Sequence, residues 1–317
     1  MNRYFLGVDG GQSRTTAIIG DESGRVVGIG LAGPTNHVEA AEGRAKFVNA
    51  MTACLSAACA QAGLDPSSTR FASACLGFSG GPADKQAILE EILSSDRTIV
   101  THDAMIALAG ATAGDPGIIT IAGTGSIAFG RDSSGDVARV GGWGFIFGDE
   151  GGAFHIVRQA LRAALRFEEG WGPPTSLRSV LLEATGARDA NDLAHRFYTP
   201  EFPRPRIASF SKLVDRAAEQ GDAIASEVLL EAARDLASIA SAAREQLFED
   251  LATVRIAYVG GVFRSRIILA QFRKLLEREG QNQVAPPIHG PAAGALLEAY
   301  RAAGVRCALS NVPEEKP

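Results

Sequence analysis

Two segments of this chain repeat one plan, in which an apolar strand runs into a glycine turn that carries a hydroxyl side chain. The first, 7–16, reads GVDGGQSRTT, and the second, 118–126, reads IITIAGTGS. Glycines let backbone N–H groups approach phosphate oxygens without a Cβ atom in the way, and hydroxyls add uncharged donors. One such turn is an ordinary hairpin connection. Two with the same plan predict a pair of hairpins that hold a polyphosphate from two sides, and hence a nucleotide-using enzyme.

Neither segment is a Walker P-loop. No Gly-Lys-Ser/Thr follows either turn at the required spacing, and no helix is indicated directly after it. The predicted phosphate-binding device is therefore a different one, and its first hairpin also carries an acid, Asp9.

The composition is that of an ordinary globular enzyme. The 317 residues are 46% hydrophobic and 21% charged, and this length favours two domains. A formal net charge of -5 without any basic block argues against a nucleic-acid partner. The sequence shows neither a leader-type segment nor a stretch of membrane-spanning length, so we expect a cytoplasmic protein with no membrane partner. The four cysteines lack Cys-x-x-Cys spacing and are expected to be reduced thiols.

Hydrophobic periodicity and turn residues predict an α/β chain. Three short antiparallel strands come first, strands and helices then alternate, and helical segments dominate past residue 152. The predicted strands are 4–8, 15–20, 25–30, 71–77, 98–101, 118–122, 126–131, 136–141 and 255–259. The predicted helices are 42–62, 83–93, 104–111, 153–167, 177–184, 189–197, 207–220, 222–248 and 291–303. This order favours mixed sheets with helices on their faces, divided near residue 115.

Asp103 ends an apolar strand and precedes a helix. Open α/β sheets place functional groups at this carboxyl edge, where a carboxylate can accept a proton from a substrate hydroxyl. The alternative is a helix N-cap, for which aspartate is a favoured residue. This residue alone leaves both interpretations open.

The segment 141–152, GGWGFIFGDEGG, is too rich in glycine for an ordinary strand or helix. Its freed backbone groups can bond sugar hydroxyls and Trp143 offers an apolar wall for a ring, so the segment is predicted to clamp a ligand. The alternative is a flexible connection in which Asp149 or Glu150 caps the next helix.

Two other turns are weaker candidates. In 30–37, GLAGPTNH, Asn36 can donate and accept hydrogen bonds at once, but it is also an ordinary turn residue. In 258–262, YVGGV, the glycines Gly260 and Gly261 could let an adenine ring lie against backbone, or could simply end a strand.

Together these motifs resemble the N-acetylglucosamine kinase family, in the same order and with similar spacing, along nearly the whole chain. The resemblance rests on DGGQS at 9–13, TNH at 35–37, THD at 101–103, GTGS at 123–126, GGWG at 141–144 with GDEG at 148–151, and VGG at 259–261. It implies an α/β fold of two related actin-like (ribonuclease H-like) domains around a nucleotide cleft. The domains would be 1–115 and 116–317, with the last helix able to pack on the first domain.

The resemblance also implies a role for each matched position. Asp103 is the implied general base and also bonds the sugar, whereas Asp9 is the implied Mg²⁺ ligand, acting through water. Contacts with ATP are implied for Gly10, Gly11, Gln12, Ser13, Gly123, Thr124, Gly125, Ala208, Gly260 and Gly261. Contacts with the sugar are implied for Asn36, His37, Ser126, Gly142, Trp143, Gly144 and Asp149.

The chain departs from the family pattern at three of these turns. Gln12 stands where a third glycine is usual, Ser13 replaces the commoner threonine, and Ile127 follows the second hairpin where relatives often carry a polar or small residue. We expect altered phosphate contacts and an open identity of the sugar, with the kinase chemistry retained.

The implied activity is an ATP- and Mg²⁺-dependent kinase that phosphorylates a hydroxyl, the 6-OH, of an amino sugar. N-acetylglucosamine is the default acceptor, glucosamine and N-acetylmuramic acid need only small changes of the pocket, and a homodimer is the implied assembly. One alternative is an ATPase that activates a partner redox enzyme through a cysteine-held iron–sulfur cluster, against which the scattered cysteines argue. The other is a non-catalytic sugar or nucleotide sensor, against which the intact Asp9 and Asp103 argue.

Overall fold

The computed structural model of the protein describes residues 3–35, 42–79, 84–278 and 281–313. The chain divides into two compact units, one made of Met1–Asp115 with Pro287–Pro317 and the other of Pro116–Pro286. The predicted second domain, 116–317, differs from this division at its end, because the last helix belongs to the first unit. Among the described residues, no helix combines the length and the apolar character that crossing a membrane requires.

The strands form two sheets of five strands each. In chain order they are β1 (Tyr4–Gly10), β2 (Thr15–Asp21), β3 (Val26–Ala32), β4 (Ser73–Phe78), β5 (Thr98–His102), β6 (Gly117–Ala122), β7 (Ser126–Arg131), β8 (Val137–Gly141), β9 (Val254–Val259) and β10 (Asn282–Ala285). The helices are α1 (Gly43–Ala62), α2 (Gln86–Ile92), α3 (Asp103–Ala111), α4 (Ala153–Glu168), α5 (Leu177–Thr185), α6 (Ala190–Arg196), α7 (Arg204–Ser209), α8 (Ser211–Glu219), α9 (Ala223–Leu247), α10 (Arg266–Leu276) and α11 (Pro291–Ala302).

The two sheets share one topology. The first has the order β3-β2-β1-β4-β5 and the second the order β10-β9-β6-β7-β8, which is the same sequence of strands read from the other edge. In each sheet the first three strands are antiparallel and the later two add in parallel. The predicted fold class, two related α/β domains with mixed sheets, is confirmed.

Helices cover both faces of the first sheet. Successive residues of a strand point to opposite faces, so Leu6 and Val8 pack with α1 whereas Phe5 packs with α11. Both helices approach the strands closely: a Cβ atom on Gly30 would lie 1.9 Å from the Cys54 carbonyl oxygen, and one on Gly7 would lie 2.2 Å from the Leu296 nitrogen. Glycine is therefore required at these crossings.

The C-terminal helix joins the first unit through packing and a hydrogen bond. The Tyr300 hydroxyl in α11 donates to the carbonyl of Asp21 at the end of β2, and the Tyr300 ring packs on Phe5 with centroids 4.2 Å apart. Burial raises the pKa of Tyr300, so this hydroxyl keeps its proton and remains a donor. Contacts with β1 and β2 therefore hold a helix that is far away along the chain.

The second unit places one large core on one face of its sheet. The long helix α9 packs on β7 and β8, and α4, α8 and α10 pack around it. The predicted helix 207–220 is two helices, α7 and α8, which meet at Phe210, whose ring packs with those of Phe197 and Phe202. Helix α10 and strand β10 were not predicted, and β10 is only four residues long, too short for a periodic signal.

All four cysteines lie among the described residues, and none of them forms a disulfide bond there. Cys54, Cys59 and Cys75 are buried, and burial raises the pKa of Cys54 to about 11. These thiols therefore behave as small apolar groups at neutral pH.

Candidate active site

The carboxyl ends of β1, β4 and β5 bring the predicted acids of the first unit to one edge of the sheet. The parallel registers pair Asp9 with Gly77, and Gly77 with Thr101, so that Asp9 and the residues after β5 lie in one row. Asp103 begins α3 directly after that strand. This is the edge at which open α/β sheets place ligands.

The first glycine turn joins β1 to β2 and is mostly exposed at its tip. Gly11 donates its N–H to the Arg14 carbonyl at 3.0 Å, and the Gly11 carbonyl accepts from the Thr35 N–H at 3.2 Å. Gln12 and Ser13 are exposed. Gly10 is needed for packing, because a Cβ atom there would lie 2.3 Å from the ring of Phe78.

Asp103 is an exposed carboxylate with two donors. Its Oδ2 accepts from the Ser79 hydroxyl at 2.8 Å and its Oδ1 accepts from the Ala104 N–H at 2.8 Å. The N-cap of α3 is His102, whose side chain makes no capping bond, so the N-cap interpretation of Asp103 does not hold. An acid in this first turn is favoured by the helix dipole, and its orientation is set by Ser79.

Ser79 is a neighbour of this edge that sequence reasoning missed, and Thr35 belongs to the TNH motif but was given no role. Ser79 follows β4, and its N–H donates to the Gly10 carbonyl at 3.3 Å, while Thr35 follows β3 and is buried. The position of Ser79 after a strand was the only signal for it in the sequence. The predicted sugar contacts Asn36 and His37 lie outside the described residues.

The second glycine turn joins β6 to β7 and is tied to the start of α4. Gly123 donates its N–H to the Gly125 carbonyl at 2.9 Å. The carbonyls of Gly123 and Thr124 accept from the first N–H groups of α4, those of Ala153 at 2.9 Å and Phe154 at 3.1 Å. These N–H groups would otherwise lack helical partners, so the hairpin and the helix stabilise each other.

The glycine-rich segment 141–152 folds over the second hairpin. Gly142 donates its N–H to the Ser126 carbonyl at 3.0 Å, and the Ser126 hydroxyl donates to the Glu150 carbonyl. Positive φ values at Gly141, Gly142, Gly144 and Gly151 account for the glycine content. Because α4 is capped by Gly152 without a side-chain bond, Asp149 and Glu150 are not its caps.

Trp143 lies on the outer part of this segment. Its side chain is 73% exposed, and the Arg139 guanidinium lies 5.5 Å from its ring centroid while donating to the Gly142 carbonyl at 2.7 Å. Phe147 is also exposed, at 83%. An exposed indole held by an arginine can stack on a ring.

Asp149 is only 6% exposed and lies against the hairpin. Its Oδ1 accepts from the Ser126 N–H at 3.4 Å, and its Oδ2 pairs with the guanidinium of Arg204 in α7. The hairpin is so close that a Cβ atom on Gly125 would lie 2.4 Å from Oδ2. Arg204 was not a predicted site residue, and no local pattern marks an arginine 55 residues away.

The last predicted glycine turn follows β9. The register pairs Ile121 with Val259, so Gly260 lies beside the start of the second hairpin. Its φ of +114° and the 2.2 Å that would separate its Cβ atom from the Ala122 oxygen both require glycine. Ala208 is buried in the core from α7, and no hydrogen bond or ion pair among the described residues links it to Gly260.

A family model describing the BadF/BadG/BcrA/BcrD ATPase family matches residues 6–299. This chain belongs to that ATPase family. The N-acetylmuramic acid/N-acetylglucosamine kinase of Clostridium acetobutylicum is 32% identical over 86% of this chain and 90% of its own. The N-acetyl-D-glucosamine kinase of Dictyostelium discoideum is 29% identical over 92% of this chain and 96% of its own.

Among solved structures, a candidate N-acetylglucosamine kinase from Chromobacterium violaceum superposes with a TM-score of 0.71 at 27% identity, covering 93% of this chain and 98% of that one. The resemblance read from the motifs is confirmed by this family, and so is the predicted enzyme class of ATP-dependent sugar kinase. The individual site residues remain predictions.

A partly buried pair of titratable groups lies next to the glycine-rich segment and was also missed. His155 in α4 accepts the Gly151 N–H at Nδ1, 2.9 Å away, and the Asp235 Oδ2 in α9 lies 3.6 Å from the same nitrogen. Burial lowers the pKa of His155, and burial, with Glu231 and Glu150 nearby, raises the pKa of Asp235 to about 6. A neutral imidazole is required to accept that bond.

Proposed function

We propose that this protein is an ATP-dependent kinase that phosphorylates the 6-OH of an amino sugar, with N-acetylglucosamine as its acceptor. The observation that carries the proposal is the exposed Asp103 carboxylate, oriented by Ser79 at the same sheet edge as Asp9 and the first hairpin. Membership in an ATPase family and the named activities of its relatives support the nucleotide and the sugar class.

Asp103 is proposed to act as the general base. Its carboxylate takes the proton of the sugar hydroxyl, the freed oxygen attacks the γ-phosphorus, and the bond to the β-phosphate oxygen breaks to release ADP. The Ser79 hydroxyl bond at 2.8 Å holds Oδ2 and leaves this oxygen a further lone pair for the substrate. A fixed base lowers the cost of orienting the reactants.

Phosphate binding is proposed for the backbone and hydroxyls of both hairpins. In the first unit these are Gly10, Gly11, Gln12 and Ser13, whose tip is exposed. In the second they are Gly123, Thr124 and Gly125, and the adenosine is assigned to Ala208, Gly260 and Gly261. Backbone N–H groups in glycine turns need no charged side chain to bind phosphate oxygens.

Asp9 is proposed to hold Mg²⁺ through water. Among the described residues no group of three or more histidine, cysteine or acidic side chains could hold a metal by itself. A single carboxylate at a strand end nevertheless fits Mg²⁺, which keeps several waters and takes its other ligands from substrate phosphates. When bound, the ion supplies charge neutralisation at the β- and γ-phosphates.

The sugar is proposed to contact Ser126, Gly142, Trp143, Gly144 and Asp149, together with Asn36, His37 and Asp103. The exposed Trp143 ring is suited to stacking on a pyranose, and the backbone turns at Gly142 and Gly144 present polar groups to its hydroxyls. Together these side chains and backbone groups suit a pyranose, which has polar hydroxyls around a ring with an apolar face.

The test is ADP release with Mg-ATP and a panel of N-acetylglucosamine, N-acetylmuramic acid, N-acetylmannosamine, glucosamine and glucose. We expect strong release with N-acetylglucosamine, and a loss of about 10²- to 10⁴-fold in kcat for Asp103→Asn with an unchanged melting temperature. The matched control is Asp115→Asn, because Asp115 is an exposed aspartate in the turn after α3. Equal release without sugar would instead indicate an activator ATPase, and binding without turnover would indicate a sensor.

A further inference from the structure

The carboxylate of Asp149 is held in place from two sides. One oxygen accepts from the Ser126 N–H in the second hairpin, and the other pairs with Arg204 at the start of α7. Asp149 also has a φ of +62°, a conformation that is unfavourable for a residue other than glycine and persists only where the surroundings enforce it. The ion pair is part of what enforces it.

The guanidinium of Arg204 is itself fixed by the segment that it braces. It lies 5.1 Å from the ring centroid of Phe145 in the glycine-rich segment and 5.8 Å from that of Phe154 in α4. Those two rings pack edge to face, with centroids 5.3 Å apart. Arg204 therefore contacts the segment through both a carboxylate and an aromatic ring, and it cannot move without disturbing both.

This arrangement connects the parts of the second unit to which different substrates are assigned. Asp149 lies in the segment proposed for the sugar, and Ser126 and Gly125 lie in the hairpin proposed for phosphate. Gly125 packs directly on the Asp149 carboxylate, so a shift of that carboxylate displaces the hairpin. Arg204 is the cation that pairs with this buried carboxylate and holds it in one orientation.

We infer that Arg204 is a positioning residue that makes the binding of sugar and of nucleotide interdependent. A sugar that orders the glycine-rich segment also orders Asp149, and through it the hairpin, so the two ligands favour one another. Such coupling is reciprocal and is commonly worth between fivefold and 150-fold in affinity, of the order of 1–3 kcal/mol. The inference rests on the proposed kinase function, because that function assigns the two ligands.

The experiment measures the dissociation constant of a non-hydrolysable ATP analogue by calorimetry, without and with saturating N-acetylglucosamine. In the unaltered protein we expect the sugar to tighten the analogue about tenfold. In Arg204→Gln the ratio of the two dissociation constants should fall to about one. Arg204→Lys, which keeps the charge but not the planar guanidinium that lies against Phe145 and Phe154, should restore part of that ratio. A residue with a merely structural role would weaken both ligands and leave the ratio unchanged.

The matched control is Arg206→Gln in the same short helix. Arg206 is exposed, lies 4.1 Å from the ring centroid of Phe202 and donates to the Glu201 carbonyl at 2.7 Å, so it is also an arginine on an aromatic ring but is not bonded to Asp149. It should keep the full ratio. If Arg204→Gln fails to fold, Arg204→Lys carries the test, because it keeps the buried Asp149 carboxylate paired; its ratio should lie below that of Arg206→Gln.

The outcomes separate this inference from the proposed function. If the unaltered protein shows no sugar-dependent ADP release, the proposed function fails. If it is an active kinase and Arg204→Gln, or Arg204→Lys where Arg204→Gln does not fold, keeps the tenfold ratio of Arg206→Gln, the function stands and the inference is overturned. The inference would also be overturned if N-acetylglucosamine left the dissociation constant of the ATP analogue unchanged in the unaltered, active enzyme.

Discussion

The two glycine hairpins have the same sequence plan but different surroundings. The tip of the first, Gln12 and Ser13, is exposed, and the turn forms backbone hydrogen bonds within itself and with Thr35. The second is half-buried at Gly123 and Thr124 and is tied to the start of α4, while the glycine-rich segment folds over it. The tip of the first hairpin is exposed to solvent, whereas the second hairpin is held by hydrogen bonds to α4 and to the glycine-rich segment.

The difference shows that a shared motif does not fix how rigid a binding turn is. In the first unit, the strictest steric requirement lies at the base of the hairpin, where Gly10 packs on Phe78. In the second unit it lies at the tip, where Gly125 packs on Asp149. We therefore expect substitutions in the second turn to affect stability and ligand binding together, and substitutions at the first tip to affect ligand contacts alone.

The largest expected effect is that of Gly125→Ala, with Gly123→Ala as its matched control. A methyl group on Gly125 would meet a buried carboxylate held by Arg204, whereas one on Gly123 meets nothing within 4 Å. Overpacking of this kind costs about 1–3 kcal/mol. We expect Gly125→Ala to lower the free energy of unfolding by about that amount and kcat/KM by at least about 10²-fold, and Gly123→Ala to change stability by less than about 1 kcal/mol.

Urea denaturation and initial rates would measure both variants. Equal losses in the two would show that the contact of Gly125 with the Asp149 carboxylate does not determine the cost of a substitution in this turn, which would remove one basis of the comparison.

A second prediction concerns the partly buried pair His155 and Asp235, next to the glycine-rich segment. An acid whose pKa rises from 3.8 to about 6 on folding binds more protons in the folded state between those values, so its contribution to stability falls as pH rises through that window. Asp235→Asn should therefore stabilise the protein at pH 7 to 8, by about 1 kcal/mol after allowance for its partial exposure, and leave stability unchanged near pH 4.

The lowered pKa of His155 acts in the opposite direction, because that ring costs stability as pH falls below its ordinary value of 6.5. The difference in stability between Asp235→Asn and the unaltered protein reports the effect of the carboxylate alone, since His155 is present in both. The control is Asp250→Asn, at an exposed aspartate of the same unit, which should show no such pH-dependent difference. Melting temperatures of the three proteins measured from pH 4 to 8 would test this prediction. A lower melting temperature of Asp235→Asn than of the unaltered protein at pH 8 would contradict the raised pKa of Asp235.

Most elements with a strong periodic signal could be predicted from the sequence, with the amphipathic α10 as the exception, and those defined by distant partners could not. The apolar run that became β1 is buried on both faces, which is why it read clearly as a strand, whereas the four-residue β10 offers no period at all. The two-sheet fold followed from the repeated order of strands and helices.

The same limit applies to the candidate site. The hairpins and Asp103 could be predicted because glycine turns and strand ends are local features. Arg204 and His155 could not, because the bonds that matter join them to Asp149 and Gly151 through the folded chain. The membership of the C-terminal helix in the first unit depends likewise on Tyr300 reaching the end of β2.

The smallest expected effect is that of Gln12→Gly, which restores the third glycine of the family pattern at the exposed tip of the first hairpin. Gln12 is exposed, so the substitution should change the free energy of unfolding by less than about 0.5 kcal/mol. The glutamine amide can donate to phosphate but acts in competition with water, so its loss should change KM for ATP by no more than about threefold and leave kcat unchanged. Denaturation curves and ATP saturation curves at fixed sugar would measure both. A loss of more than 1 kcal/mol or a tenfold change in KM would mean that the first tip is braced as firmly as the second, and the contrast between the hairpins would then have to be explained by the ligand rather than by the protein.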